Sequence, residues 1–276
     1  MSALTFEKRN MPAADLNGES SLPSIAGMRN VQQRTETRLD EDDELFVGYG
    51  FVGCPFPYRQ QDRYGRELKN TEFDCAILEN RYLKAVFVPA LGGRLWSLYD
   101  KEAGRELLFS NPVFRPGNLA FRNAWFSGGV EWNCGVVGHH PFTCSSLFTA
   151  KLTAPDGTPV LRMYEFERIR CVTWQMDFFL PEDSKMLYAR MRIVNPNMET
   201  VPMYWWSNIA VPERKDGRVV MDADETYTNQ DRIITKTTVP VSKGVDITYP
   251  VNSPFAIDYF WKIEKDRRKY VCHLDQ

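Results

Sequence analysis

The sequence predicts an all-β protein of packed antiparallel sheets, and three observations carry that prediction. Short apolar runs follow period two rather than 3.6 and are separated by turn residues. Phe, Tyr and Trp make up 13% of the 276 residues, a composition suited to pleated, half-buried surfaces. No amphipathic run of a dozen residues with helical period interrupts the strands, so two packed antiparallel sheets are expected rather than β-α-β units.

Taken in order, the elements begin with a segment lacking either period. Residues 1–44 are expected as a polar, partly mobile lead-in, with the acidic run at 40–44 a solvated turn. Dense packing is expected from 45–51 onward, and 45–276 are read as one sandwich domain. Leu83, Ala85 and Phe87 alternate with Lys84, Val86 and Val88 until Pro89 and the Gly92-Gly93 pair stop the run, which resumes over 94–99. Asp100-Lys101-Glu102-Ala103-Gly104 reads as a hairpin connection into 106–109. Strands at 147–153 and 160–167 are joined by Ala154-Pro155-Asp156-Gly157, whose Pro, Asp and Gly suit a tight turn. A strand over 169–180 stops at Pro181-Glu182-Asp183-Ser184. Leu187, Ala189, Met191 and Ile193 then face one way and Tyr188, Arg190 and Arg192 the other, as on a half-exposed antiparallel strand. Further strands are expected at 201–210, 218–221, 257–263 and 270–274. The last of these, followed by the turn-opening pair Asp275-Gln276, predicts a chain that stops inside its own domain and lacks its final strands.

Charge narrows the partners. With 34 Lys and Arg against 36 Asp and Glu, the net charge is −2, which provides no basic field for nucleic acid or an anionic membrane surface. No stretch approaches the ~20 apolar residues that span a bilayer. The N-terminus, with Glu7, Lys8, Arg9 and Asp15, lacks the apolar run of a signal peptide, so a cytoplasmic location is expected. The 6 cysteines include no C-x-x-C pair and read as reduced thiols.

The chemistry-bearing stretch runs from Arg122 to Thr143 and holds Glu131, His139, His140, Trp125, Trp132, Asn133 and four glycines. It reads either as a ligand site or as a glycine-rich loop in which Glu131 caps backbone amides and the histidines are hydrogen-bonded in place. Adjacent His139 and His140 point to opposite faces of a strand, and their spacing from Cys134 and Glu131 matches no common zinc set. Neither a metal nor a cofactor is expected. In Tyr204-Trp205-Trp206-Ser207-Asn208, the residues Tyr204, Trp206 and Asn208 share one face. A ring platform beside an amide suits a sugar, whose C–H faces pack on rings while its hydroxyls need directed partners. The other reading places both tryptophans in the core. Arg94, after its glycine turn, is equally a structural or a ligand-contacting residue.

The runs LENRYLKAVFVPALGGRLWSLYDKEAG, WFSGGVEWNCGVVGHHPFT and NPNMETVPMYWWSNIAVP, in this order, resemble the galactose mutarotase-like superfamily. They are closest to a bacterial branch found ahead of tetratricopeptide repeats. The resemblance implies an antiparallel β-supersandwich with a cleft for a mono- or oligosaccharide, and tetratricopeptide repeats downstream. In the superfamily's epimerases a carboxylate base and a histidine acid open and reclose the pyranose. By motif position the resemblance implies Glu131, His139 and His140 as catalytic groups. It implies Arg94 or Arg122 as a hydroxyl clamp, with Trp125, Trp132, Asn133, Trp206 and Asn208 lining the substrate. Two departures accompany it. The strand histidine of a sugar-phosphate epimerase falls on Asn208, which cannot act as a general acid at neutral pH. The epimerases' late-strand glutamate would lie beyond Gln276. The expected activity is therefore epimerase-like, or glycoside hydrolysis pairing Glu131 with a second carboxylate such as Asp222 or Asp224. A non-catalytic carbohydrate-binding module or an interaction domain is the alternative.

Overall fold

A computed structural model describes residues 1–23, the backbone of 36–38, and residues 52–230, 233–261 and 264–275. The expected turn at 40–44 and the expected packing over 45–51 lie outside the described residues. The protein is all-β, with several antiparallel sheets and no α-helix among the described residues. No helix there is long and apolar enough to cross a membrane. The chain divides into two compact units, Met1–Gln32 with Gly50–Ala210, and Gln33–Tyr49 with Val211–Gln276.

The first unit is a sandwich. Its larger sheet has the order Ala3–Ala14, Leu68–Glu79, Leu83–Val88, Arg94–Asp100, Val130–Cys134, Trp205–Ile209, and the short strand Arg105–Glu106 also pairs with Arg94–Asp100. The smaller sheet is a meander of Phe148–Thr153, Pro159–Glu167, Val172–Phe179 and Tyr188–Val194. Alternation sends Ala76, Leu78, Ala85, Phe87, Val130, Trp132 and Cys134 against Leu161, Met163, Trp174, Met176 and Phe178 of the facing sheet. Phe178 is the pivot, with Phe87 at 4.6 Å and Trp132 at 5.0 Å between ring centroids. The opposite face of the larger sheet is covered too, because Cys75, Ile77, Val86 and Val88 pack with Leu91, Phe114, Ala124 and Phe126.

That second cover explains two differences from the sequence expectations. Ala3–Ala14, expected within a mobile lead-in, is a full-length strand paired from Ala3↔Glu79 to Ala14↔Leu68. Its middle, Glu7-Lys8-Arg9, is charged and lies on a sheet edge, and its buried residues are split between faces, Leu4 in the inter-sheet core and Met11 and Ala13 in the cluster on the opposite side, so no single period shows. Leu68–Glu79 has an exposed half and then four consecutive residues, Cys75 to Leu78, buried on both faces, so it shows no sustained alternation. Tyr188–Val194 has the half-exposed character its sequence predicts.

In the second unit, Glu225–Gln230 pairs antiparallel with Ile233–Thr238 and Tyr259–Phe260, and Glu36–Arg38 adds parallel to Ile233–Thr238. Arg218–Met221 pairs with Val271–Leu274. The strand expected over 257–263 is reduced to Tyr259–Phe260, with 262–263 outside the described residues.

Candidate functional site

The site begins with a register. On Val130–Cys134 every residue is buried, yet alternation gives the strand two different faces. Val130, Trp132 and Cys134 enter the core between the sheets, so Glu131 and Asn133 face the other way. The neighbouring strand sets Asn208 opposite Glu131 and Trp206 opposite Asn133. On the strand's other side Gly129 permits the close approach to Arg94–Asp100: its φ is +67°, and a Cβ there would lie 2.2 Å from the Leu95 carbonyl oxygen.

Glu131 is only 2% exposed and is surrounded by donors. The Trp125 indole N–H donates to Oε2 at 2.9 Å, and the Asn208 amide donates to the same oxygen at 3.4 Å. His139 Nδ1 lies 2.9 Å from Oε1 and 3.1 Å from Oε2. The Arg94 guanidinium stands 4.0 Å away. Burial alone would raise the Glu131 pKa, but the His139 hydrogen bond, the Arg94 charge and the Trp125 N–H together hold it below the ordinary carboxylate value. Glu131 is therefore an anion at neutral pH, and an ionised carboxylate only accepts, so Nδ1 of His139 is the donor. The imidazole sits between two indoles, with ring centroids 5.0 Å from Trp125 and 5.3 Å from Trp206. Both of its side-chain hydrogen bonds use Nδ1, and Nε2 makes none among the described residues.

Arg94 is held from beneath. It donates to the Gly128 carbonyl at 3.0 Å and lies 4.0 Å over the Phe126 ring, which stacks on Trp96. Its Nη2 is buried and has no hydrogen-bond partner among the described residues. Phe126 was not among the residues singled out from the sequence. Its signal is its place beside Trp125 just ahead of the glycine turn, next to a residue already marked.

Six of the ten sequence-predicted site residues are thus brought together: Glu131, His139, Arg94, Trp125, Trp206 and Asn208. The other four are not. His140 is fully buried, stacked on Phe142 and edge-on to Trp174 in the other layer, and burial with the nearby Arg122 charge pushes its pKa down to about 3. It stays neutral and faces away from Glu131. Arg122 donates to the carbonyls of Arg59 at 2.6 Å and Pro141 at 3.3 Å and pairs with Glu19, which makes it a loop tie. Trp132 packs on Phe178 between the sheets and donates to the Gly93 carbonyl at 3.0 Å. Asn133 accepts the His140 backbone N–H at 2.7 Å. That bond anchors the loop directly after His139, while the Phe121 N–H binds the His139 carbonyl at 3.0 Å. Asp222 and Asp224 belong to the other unit, where both pair with Arg267.

The fold and site define an all-β sandwich carrying a carboxylate-imidazole pair between indole rings on one sheet face. Residues 52–264 match the family described as Domain of unknown function (DUF5107), and the chain belongs to that family. The fold is similar to the crystal structure of a TPR-domain containing protein from Parabacteroides distasonis, with a TM-score of 0.72 at 18% sequence identity. The similarity covers 96% of this chain and 41% of that one, so the chain spans about two-fifths of that protein's length.

Proposed function

We propose that this chain is a carbohydrate-active domain of the galactose mutarotase type, acting on the reducing end of a mono- or oligosaccharide by proton transfer through His139. The observation that carries the reading is the ionised Glu131 bonded to His139 Nδ1, with Trp125 and Trp206 on either side of the imidazole. Flanking indoles offer stacking surfaces to the C–H faces of a sugar ring. With Nδ1 donating to Glu131, neutral His139 carries its lone pair on Nε2 and can take the proton of the anomeric hydroxyl. The ring C–O bond then breaks toward the ring oxygen, which receives the proton back from the imidazolium. Rotation and reclosure reverse these steps.

In this scheme Glu131 orients His139 and supports its positive charge, because Trp125, His139 and Asn208 already occupy its oxygens. Isomerisation is favoured over glycoside hydrolysis, which needs two carboxyl groups across the scissile bond. Asp222 and Asp224 are instead tied to Arg267 in the second unit. The same saturation of Glu131, together with an amide at Asn208, favours a second reading in which the domain binds sugar without turning it over. The proposal extends to a cytoplasmic domain ahead of tetratricopeptide repeats, a setting suggested by the TPR-domain containing neighbour.

Calorimetric titration against a panel of mono- and oligosaccharides, with anomer exchange followed by NMR, tests both readings. Saturable binding that Trp206→Ala weakens, with exchange abolished by His139→Gln, is expected. Binding without exchange supports the second reading, and a flat titration across the panel overturns both.

A further inference from the structure

Two residues of one strand serve His139, by different means. Glu131 and Asn133 stand two positions apart on the same face of Val130–Cys134, about 7 Å along the strand. The neighbouring strand sets Asn208 opposite the first and Trp206 opposite the second. The imidazole reaches both rows, bonded to Glu131 and 5.3 Å from Trp206 between ring centroids. Asn133 bonds to backbone instead. It is fully buried, and its Oδ1 accepts the N–H of His140 at 2.7 Å.

That N–H belongs to the peptide joining the two histidines. The carbonyl of the same peptide, on His139, accepts the Phe121 N–H at 3.0 Å, where Ala120 bridges to His139. Both polar ends of one peptide plane are therefore held. One end is held by the strand that carries Glu131, the other by the turn between Gly117–Ala120 and Asn123–Trp125, whose last residue is the indole donor to Glu131. A fixed plane constrains the torsions on either side of it, so His139 departs toward Glu131 and His140 toward Phe142 and Trp174. Gly138, with φ of +109°, specifies its own torsions weakly just ahead of His139. Asn133 makes its one bond at a cost. Its Nδ2 is buried with no hydrogen-bond partner among the described residues, and an unsatisfied buried donor is unfavourable. A leucine of similar size would fill the space without that penalty, so packing alone does not account for an amide here.

We propose that Asn133 is the positioning residue of His139: by clamping the 139–140 peptide it holds Nδ1 on Glu131 and so aims Nε2 at the substrate. The role deepens the proton-transfer reading above and rests on it. Asn133 touches no substrate in this role and acts through the backbone. A misplacement of about 1 Å at a reacting group can cost about a hundredfold in rate, so the loss falls on turnover, while the indole faces still supply sugar binding. The His140 side chain is not required, because the clamped donor is its backbone N–H.

The test follows the His139 Nδ1–H by NMR in the isotope-labelled free chain, assigned by its loss in His139→Gln, alongside anomer exchange. Asn133→Leu is expected to broaden or remove that resonance and to slow exchange by about tenfold to a hundredfold, with sugar affinity nearly unchanged. Asn133→Asp, which offers an acceptor in the same place, is expected to recover the resonance, and His140→Phe to keep both readouts. If Asn133→Leu does not fold, Asn133→Ala decides by the same measurements. A folded variant without the amide that retains the resonance and the rate overturns the proposal, even if its melting temperature falls. So does an equal loss of the resonance in Asn133→Asp and Asn133→Leu. A wild-type chain with the resonance but no anomer exchange overturns the catalytic reading instead, and the response of the resonance to Asn133→Leu still decides whether Asn133 positions His139. A wild-type chain without the resonance overturns both.

Discussion

Substituting Glu131 by glutamine keeps the shape of the side chain and removes its charge. One carboxylate oxygen becomes an amide donor, and it must face either His139 Nδ1, now 2.9 Å from Oε1, or the Trp125 N–H, now 2.9 Å from Oε2. One hydrogen bond to a charged acceptor is lost, at about 1.5–3 kcal/mol. Arg94, 2% exposed, also loses the carboxylate it faces. Breaking a fully formed buried pair costs about 3–5 kcal/mol, but at 4.0 Å this contact is long, so it adds only a small part of that to the hydrogen-bond loss. We expect Glu131→Gln to destabilise the sandwich by about 3 kcal/mol at neutral pH, read from urea unfolding by tryptophan fluorescence. The pH dependence is a second readout. The folded Glu131 pKa lies below its unfolded value. Its ionisation therefore stabilises the fold fully above about pH 4.3, and that contribution fades as pH falls through the depressed folded value. The gap between wild type and variant should close in acid. A gap under about 0.5 kcal/mol at pH 7, or one that is constant into acid, would refute the buried-anion account.

Four further outcomes follow from the same contacts. His140, with its folded pKa near 3, should cost the wild-type fold stability as pH drops below about 6.5, at up to about 1.4 kcal/mol per pH unit. A His140→Phe variant should lack that slope, and equal slopes in urea titrations would remove His140 from the core. Trp132→Ala should destabilise by about 3–5 kcal/mol while the folded fraction still binds sugar, measured by thermal melts and calorimetry. Trp206→Ala should do the reverse, leaving the melting temperature nearly unchanged and weakening binding. Gly129→Ala should cost about 1–3 kcal/mol from its φ of +67° alone and more from the contact with Leu95, and a loss under about 0.5 kcal/mol in urea would show that the turn can relax.

Much of this was legible in the sequence. Period-two runs correctly mark the Leu83–Val88, Pro159–Glu167 and Tyr188–Val194 strands, because alternation is a local property of extended backbone. It also places Trp206 and Asn208 on one face, which the register then sets beside Asn133 and Glu131. Ala3–Ala14 escaped because its charged middle lies on a sheet edge and its buried residues switch from one face at Leu4 to the other at Met11 and Ala13. Leu68–Glu79 escaped because its buried half is covered on both faces. Neither condition can be read from one segment in isolation.

By itself, then, the sequence determines the all-β class, most strand positions and the stretch that carries the carboxylate and imidazoles. Only the tertiary structure separates His139 from His140, sending one to Glu131 and the other to Phe142 and Trp174. It likewise retains Arg94 at the site and assigns Arg122 to Glu19 and the loops. The physical reason is that side-chain alternation along a strand is fixed by local geometry. Which neighbour a residue meets after a glycine turn depends on the strands and loops packed around it, and those arrive from far along the chain, as Glu19 does to Arg122 across 103 residues.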